Sequence, residues 1–210
     1  LVEGYGLTEA SPVTHANPLF GKERTGSIGV PLPSTDARIV HHRTGRELKP
    51  GTIGELLIRG PQVMQGYWRR PDETDAALRG GWLHTGDLAV MDYEGHFRLI
   101  DRVSDLINVG SRYVYPRDVE EVLHEHPCVQ EAAAIGARGD DGRGEIRACV
   151  VLRPGLQASE EEIVEFCEGR LRSYQVPRRV RFCEELPRSF VGKVLRRQLV
   201  DARLSSEESP

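Results

Sequence analysis

The chain has 210 residues, 39% hydrophobic and 29% charged, with a net charge of -4. That balance describes a folded chain with apolar residues enough for one large or two small cores, and it excludes a disordered polymer. The negative charge gives no electrostatic footprint for nucleic acid, and no apolar run reaches the length of a membrane-spanning helix. The four cysteines, Cys128, Cys149, Cys167 and Cys183, include no Cys-x-x-Cys pair. This argues against a zinc site or a disulfide framework and fits a reducing, cytoplasmic setting.

Up to about Asp101, glycine and proline punctuate short apolar runs. Ala37 to Val40 alternates and is followed by a polar turn from His41 to Arg46. Glu55 to Arg59 and Leu83 to Met91 are further strand-like runs; Asp92-Tyr93-Glu94-Gly95 is a turn, and Phe97 to Ile100 returns as a strand. This spacing predicts a mostly antiparallel, β-rich region. Beyond it, Pro116 suits a first helical position, with Asp118, Glu120 and Glu121 near the positive end of the dipole and Val119, Val122 and Leu123 on one face. A strand is expected at Ala132 to Ile135, then a loop holding Gly136, Gly139, Gly142 and Gly144, then a strand at Arg147 to Leu152. Ser159-x-x-Glu162 is a capping box that opens a helix burying Ile163, Phe166, Cys167 and Leu171. Val180 and Phe182 mark a third strand, and Leu195, Leu199 and Ala202 a last amphipathic helix. The expected fold class is α+β: an antiparallel, distorted barrel-like subdomain over 1–101, a small α+β domain with a three-stranded sheet over 102–204, and a disordered tail over 205–210. His41-His42 falls in a turn, and His124 and His126, two apart on a helix, share no face.

Four stretches carry groups suited to chemistry. In Tyr5-Gly6-Leu7-Thr8-Glu9 an aromatic ring can stack on a purine, a hydroxyl can donate to phosphate, and a carboxylate can hold a hard cation such as Mg²⁺. In Thr85-Gly86-Asp87 a short carboxylate after glycine can accept hydrogen bonds from a ribose diol; the plainer alternative is a turn-forming aspartate. Arg102, at the domain junction, can bind ribose or phosphate, or else form a surface ion pair with Asp101 or Asp105. Gly192-Lys193, ahead of Arg196-Arg197, puts a cation at a helix start, where it could stabilise developing negative charge; alternatively the segment is a basic, solvated helix. It is not a phosphate loop, since no Gly-x4-Gly-Lys-Ser/Thr pattern is present.

Taken in order, these stretches resemble the second half of the adenylate-forming (AMP-binding) superfamily, from Gly4 through Arg197. Tyr5 to Glu9 is similar to its adenine- and Mg²⁺-binding motif, Thr85-Gly86-Asp87 to its ribose motif, and Asp101-Arg102 to the start of its hinge. Val109 to Glu120 resembles the hairpin that lines the thiol tunnel, and Gly192-Lys193 the catalytic-lysine motif. The segments Gly4 to Pro12, Gly26 to Pro31 and Gly60 to Trp68 look most like medium- and long-chain fatty-acyl-CoA synthetases, a likeness carried by scaffold residues.

The resemblance implies a two-step reaction. A carboxylate and ATP give acyl-adenylate and pyrophosphate; coenzyme A then displaces AMP. By the same likeness, Lys193, Thr8 and Glu9 are catalytic, and Glu9 holds Mg²⁺. Tyr5, Gly6, Asp87 and Arg102 bind ATP or AMP. Gly110, Ser111 and Arg112 line the coenzyme A tunnel. Ser104 is the hinge position, where the family usually carries Asp or Lys. Ser111 stands where glycine is usual, so a Cβ there would matter if the backbone needs positive φ. The implied partners are small molecules (fatty acid, ATP and CoA) and not nucleic acid; peripheral membrane contact and oligomerisation remain open. The triphosphate loop and acyl pocket would precede Leu1, so the chain reads as part of something longer and is expected to be inactive alone. Two alternatives stand beside this: an amino-acid or aryl-acid adenylating enzyme that loads a carrier protein, and a non-catalytic binding module of the same fold.

Overall fold

The computed structural model describes residues 2–20, 24–139, 142–190 and 192–201. The expected tail at 205–210 and Ala202 lie outside the described residues. Two compact units divide the chain, Leu1–Ser104 and Asp105–Pro210.

In the first unit, β1 (Gly4–Gly6), β2 (Val13–Ala16) and β3 (Val30–Pro31) form a three-stranded antiparallel sheet. A second sheet has the order β4 (Asp36–Val40), β5 (Gly54–Arg59), β7 (Trp82–Met91), β6 (Leu78–Arg79), with β8 (Phe97–Arg102) on the free part of β7. An isolated bridge between Gly29 and Phe97 links the two sheets. Gly29 has φ +87°, and a Cβ there would lie 2.0 Å from the backbone of Ala16, so this junction admits only glycine. The β5 strand is buried on both faces. Its Leu56 and Ile58 pack with Tyr5, Ile39, Ala89 and Phe97, and each such side chain contributes about 1.5–3 kcal/mol on burial.

The sequence reading of this unit lacks one element, α1 (Pro71–Ala77). Pro71 opens it, and Asp72 and Glu73 sit in its first turn, as helix chemistry favours. None of its residues is buried, so it carries no apolar stripe for periodicity to register.

The second unit begins with a hairpin, β9 (Ile107–Val109) and β10 (Arg112–Val114), followed by α2 (Pro116–His124). Next come β11 (Val129–Arg138) and β12 (Gly144–Leu152), paired antiparallel. After α3 (Glu160–Glu168), β13 (Arg179–Phe182) runs parallel to β12, a crossover through a helix. α4 (Arg196–Asp201) closes the described chain. The capping box forms in full: Ser159 and Glu162 exchange side-chain and backbone bonds.

Burial on both faces explains the apolar run Ala148 to Leu152 in β12. Ile146, Ala148 and Val150 face a core with Val119, Leu123 and Ile163, whereas Cys149 and Val151 face a second core with Leu186 and Leu199. Helices α2 and α3 thus cover one face of the sheet and α4 lies on the other. Burial pushes the thiols of Cys149 and Cys167 up to about 11, so both behave as apolar core residues.

Three local expectations are corrected. Gly136 and Gly144 belong to strands rather than to the loop; a Cβ on Gly144 would meet the carbonyl oxygen of Asn108 at 2.0 Å. His126 lies past the end of α2 and sets its ring edge-on to Phe166 at 4.8 Å. Phe166 is therefore only half-buried, and Leu171 lies beyond α3.

Candidate active site

In the first unit Tyr5 and Arg102 converge on Asp87. Facing β5, three residues of β7 oppose Leu56 alone, because Glu55 pairs with Leu88 and Leu57 with His84. The bulged residues are Thr85, Gly86 and Asp87. Thr85 Oγ1 donates to the Leu56 carbonyl at 2.7 Å and accepts from the Asp87 N–H at 3.1 Å, and Gly86 takes φ +70°. Bulges re-aim side chains, and this one turns the Asp87 carboxylate toward β1 and β8.

Tyr5 Oη donates to Asp87 Oδ2 at 2.6 Å. Arg102, the register partner of Asp87 on β8, brings Nε to within 3.3 Å of Oδ1. The Asp87 side chain is 13% exposed and that of Arg102 62%. Burial, reinforced by the Asp87 charge, pushes the Tyr5 phenol well above its ordinary value, so it remains a donor. The Arg102 pairing differs from the sequence alternative: its partner is Asp87, while Asp101 Oδ1 accepts from the Arg102 backbone N–H. The Tyr5 ring itself is largely buried, with 9% exposure, and packs near His15 and Ala89. His15 below it is fully buried, and burial lowers its pKa to about 4, so the ring is neutral.

Thr8 and Glu9 lie in a short 3-10 turn, Thr8–Ala10, directly after β1. Thr8 is exposed and Glu9 half-buried. Gly6 is required here because a Cβ would meet the Pro12 carbonyl oxygen at 1.9 Å. Sequence reasoning missed a partner: Tyr67 Oη donates to Glu9 Oε1 at 2.8 Å, and that bond raises the Tyr67 phenol. The pair is separated by 58 residues, and no local pattern signals it.

In the second unit the candidates sit on turns. Gly110 and Ser111 form the two-residue loop between β9 and β10, and φ is +66° at Gly110, whereas Ser111 has no positive φ. The strained position is thus already glycine, and the Ser111 Cβ carries no backbone penalty. Arg112 lies 4.3 Å from the centre of the Tyr174 ring. A cleft of about 580 Å³ opens beside Gly110, lined by Val109, Arg143, Ser173, Tyr174 and Arg178 among others. Ser104 is the last residue of the first unit, within the 3-10 turn Val103–Asp105.

Lys193 is not at a helix start, because α4 begins only at Arg196. Ser189 N–H bonds the Lys193 carbonyl at 2.8 Å, Gly192 N–H bonds the Ser189 carbonyl at 2.8 Å, and Arg188 bridges Val194 across the turn. This hairpin, with φ +83° at Gly192, holds the backbone extended through Val194 and delays the helix. The Lys193 side chain is exposed, and among the described residues no carboxylate pairs with it.

The AMP-binding enzyme model matches residues 1–68, and the AMP-binding enzyme C-terminal domain model matches residues 118–193. The chain belongs to the AMP-binding enzyme family. Within it, the chain is 52% identical over 202 residues to a long-chain-fatty-acid–CoA ligase of Bacillus subtilis, covering 96% of this chain and 36% of the relative. It is 42% identical over 196 residues to a 2-succinylbenzoate–CoA ligase of Bacillus mycoides, covering 93% of this chain and 40% of the relative. The crystal structure of ATP-bound MatB from Rhodopseudomonas palustris matches with TM-score 0.90 at 34% identity, over 96% of this chain and 40% of that one. The chain therefore spans little more than a third of the length of the AMP-binding enzymes it resembles. Its α+β fold agrees with these neighbours. Among the described residues, no helix is long and apolar enough to cross a membrane.

Proposed function

We propose that this chain is the C-terminal part of an ATP-dependent fatty acid–CoA ligase. What carries the reading is the 52% identity to a long-chain-fatty-acid–CoA ligase, which extends across both units. The site geometry supports the chemistry. Each Asp87 oxygen keeps a lone pair beyond its bond to Tyr5 or Arg102, enough to accept from both hydroxyls of a ribose. Tyr5 acts chiefly as the clamp on Asp87, and Arg102 projects into solvent from the same point. The Thr8 hydroxyl, exposed just beyond β1, donates to a phosphate.

Glu9 suits Mg²⁺. One of its oxygens is held by Tyr67 and the other is open, and among the described residues no group of three or more His, Cys, Asp or Glu could hold an ion alone. That matches an ion usually held by one or two carboxylates, its shell completed by water and phosphate oxygens. When bound, magnesium supplies charge neutralisation at the phosphates.

In the first half-reaction the substrate carboxylate attacks the α-phosphorus, pyrophosphate leaves, and negative charge moves onto the phosphoryl and pyrophosphate oxygens. Lys193, exposed and without a carboxylate partner among the described residues, supplies a compact cation to that charge, where positioning and electrostatics dominate. In the second half-reaction coenzyme A displaces AMP. The hairpin at Gly110, Ser111 and Arg112, with the adjoining cleft, receives the thiol substrate. Ser104 at the unit boundary is the pivot between the two steps. A cytosolic location belongs to the same proposal, supported by four free cysteines.

Pyrophosphate exchange tests this. The complete enzyme carrying this segment should exchange label into ATP with fatty acids and release AMP on adding CoA, while the 210-residue chain alone should show no exchange. Turnover with aryl or amino acids but not fatty acids would replace the substrate assignment. Exchange by the isolated chain would overturn the division of the site.

A further inference from the structure

One alternative for the Lys193 segment is a basic, solvated helix, and the structure gives Arg196 a different place. Arg196 opens α4, three positions after Lys193, and only 25% of its side chain is exposed. Its Nη2 lies 2.9 Å from both carboxylate oxygens of Glu120, and its Nη1 lies 3.3 Å from Asp105 Oδ2. Glu120 is on α2, is 14% exposed, and also accepts the Ala134 N–H of β11 at 2.8 Å through Oε1. Asp105 is the first residue of the second unit. One guanidinium thus ties the start of α4 to α2, to β11 through Glu120, and to the entry of the unit. The other side of the turn is held by Arg188, whose guanidinium reaches Glu131 of β11 at 2.9 Å and the Gly192 carbonyl at 2.7 Å, while Lys193 and Phe190 are exposed and Gly192 has positive φ. Leu195 N–H bonds the Pro187 carbonyl at 2.8 Å, so this fixed helix start passes directly into the base of the lysine turn.

We infer that Arg196 is a positioning residue for Lys193: its fork onto Glu120 and Asp105 fixes where the lysine turn leaves the domain. It touches no substrate and acts only through Lys193. The planar fork matters as well as the charge, since a lysine cannot span two carboxylates with the same geometry. This rests on the role proposed for Lys193 in adenylation.

The experiment is a double-mutant cycle in the complete enzyme carrying this segment, using Lys193→Ala, Arg196→Ala, Arg196→Lys and the Lys193→Ala/Arg196→Ala pair. Adenylation is followed by pyrophosphate exchange, thioester formation is followed from pre-made acyl-adenylate, and a melting curve is taken for each variant. Displacing a reacting group by about 1 Å costs on the order of 100-fold, so Arg196→Ala should lower adenylation kcat by roughly that factor with the KM for ATP unchanged. Arg196→Lys should fall between it and the parent enzyme. In the Lys193→Ala background, Arg196→Ala should have no further effect, and thioester formation should be spared. If Arg196→Ala does not fold, Arg196→Lys decides, in the same cycle. Additive losses, or equal losses in both half-reactions, would overturn the inference and leave Arg196 as a fold residue. If Lys193→Ala itself leaves adenylation intact, the parent assignment fails instead.

Discussion

The two units hold their candidate groups in opposite ways. In the first, Asp87 is 13% exposed, clamped by Tyr5 at 2.6 Å and faced by Arg102 across a strand pair, and Glu9 is held by Tyr67. In the second, Lys193 and the Gly110 loop stand on exposed turns with glycine at positive φ. A group that must bind the same ribose throughout a reaction gains from being fixed before substrate arrives. A group needed in only one of two steps gains from a place where it can come and go. Groups clamped by hydrogen bonds serve the first need, and exposed turns the second.

The largest expected effect tests the second unit. Lys193→Ala should reduce adenylation by about 10²–10³-fold in the complete enzyme, the usual consequence of removing one charge-stabilising donor. Thioester formation from pre-made acyl-adenylate should hold near the parent rate. Measuring the two half-reactions separately decides it, and loss of both would mean that Lys193 is not confined to one step.

A smaller effect should appear in the first unit, in stability as well as binding. Tyr5→Phe keeps the packed ring but deprives a largely buried carboxylate of its donor. A hydrogen bond to a charged group contributes about 1.5–3 kcal/mol, and denaturant unfolding of the 210-residue chain should register a loss of that order. The KM for ATP in the complete enzyme should rise in parallel. A variant as stable as the parent would mean that Asp87 is not preorganised by Tyr5, and the contrast between the units would narrow.

How much of this was legible in sequence follows the range of the interactions. The capping box at Ser159 and the faces of α2 and β12 are local patterns, and they could be read directly. The order of Tyr5, Asp87, Arg102 and Lys193 along the chain was enough to indicate the family. What escaped depends on long-range pairing. The Asp87–Arg102 pair needs the β7–β8 register, and the Tyr67–Glu9 bond joins residues 58 apart. The burial of Tyr5 needs β5 and β8 beneath it. The extended turn at Lys193 was missed because the two arginines that follow suggested an earlier helix, whereas the Ser189–Lys193 hairpin bonds postpone it to Arg196. The α1 helix, with nothing buried, gave no periodic signal.

The smallest effect concerns the loop that carries the strain in the second unit. Gly110 has φ +66° and open space around its Cα, so an added methyl would meet no atom and only the backbone conformation would resist it. Gly110→Ala should therefore destabilise the chain by about 1 kcal/mol. Ser111→Ala, at a position without positive φ, should leave stability unchanged. The discriminating readout is kinetic. If the β9–β10 loop serves only the thiol-dependent step, Gly110→Ala should slow thioester formation and leave pyrophosphate exchange at the parent rate, the inverse of Lys193→Ala. Two turns of one small domain would then be separable by a single methyl on one and a lost ammonium on the other. An equal slowing of both steps by Gly110→Ala would mean that the loop supports the domain as a whole, and the division of labour between its turns would have to be abandoned.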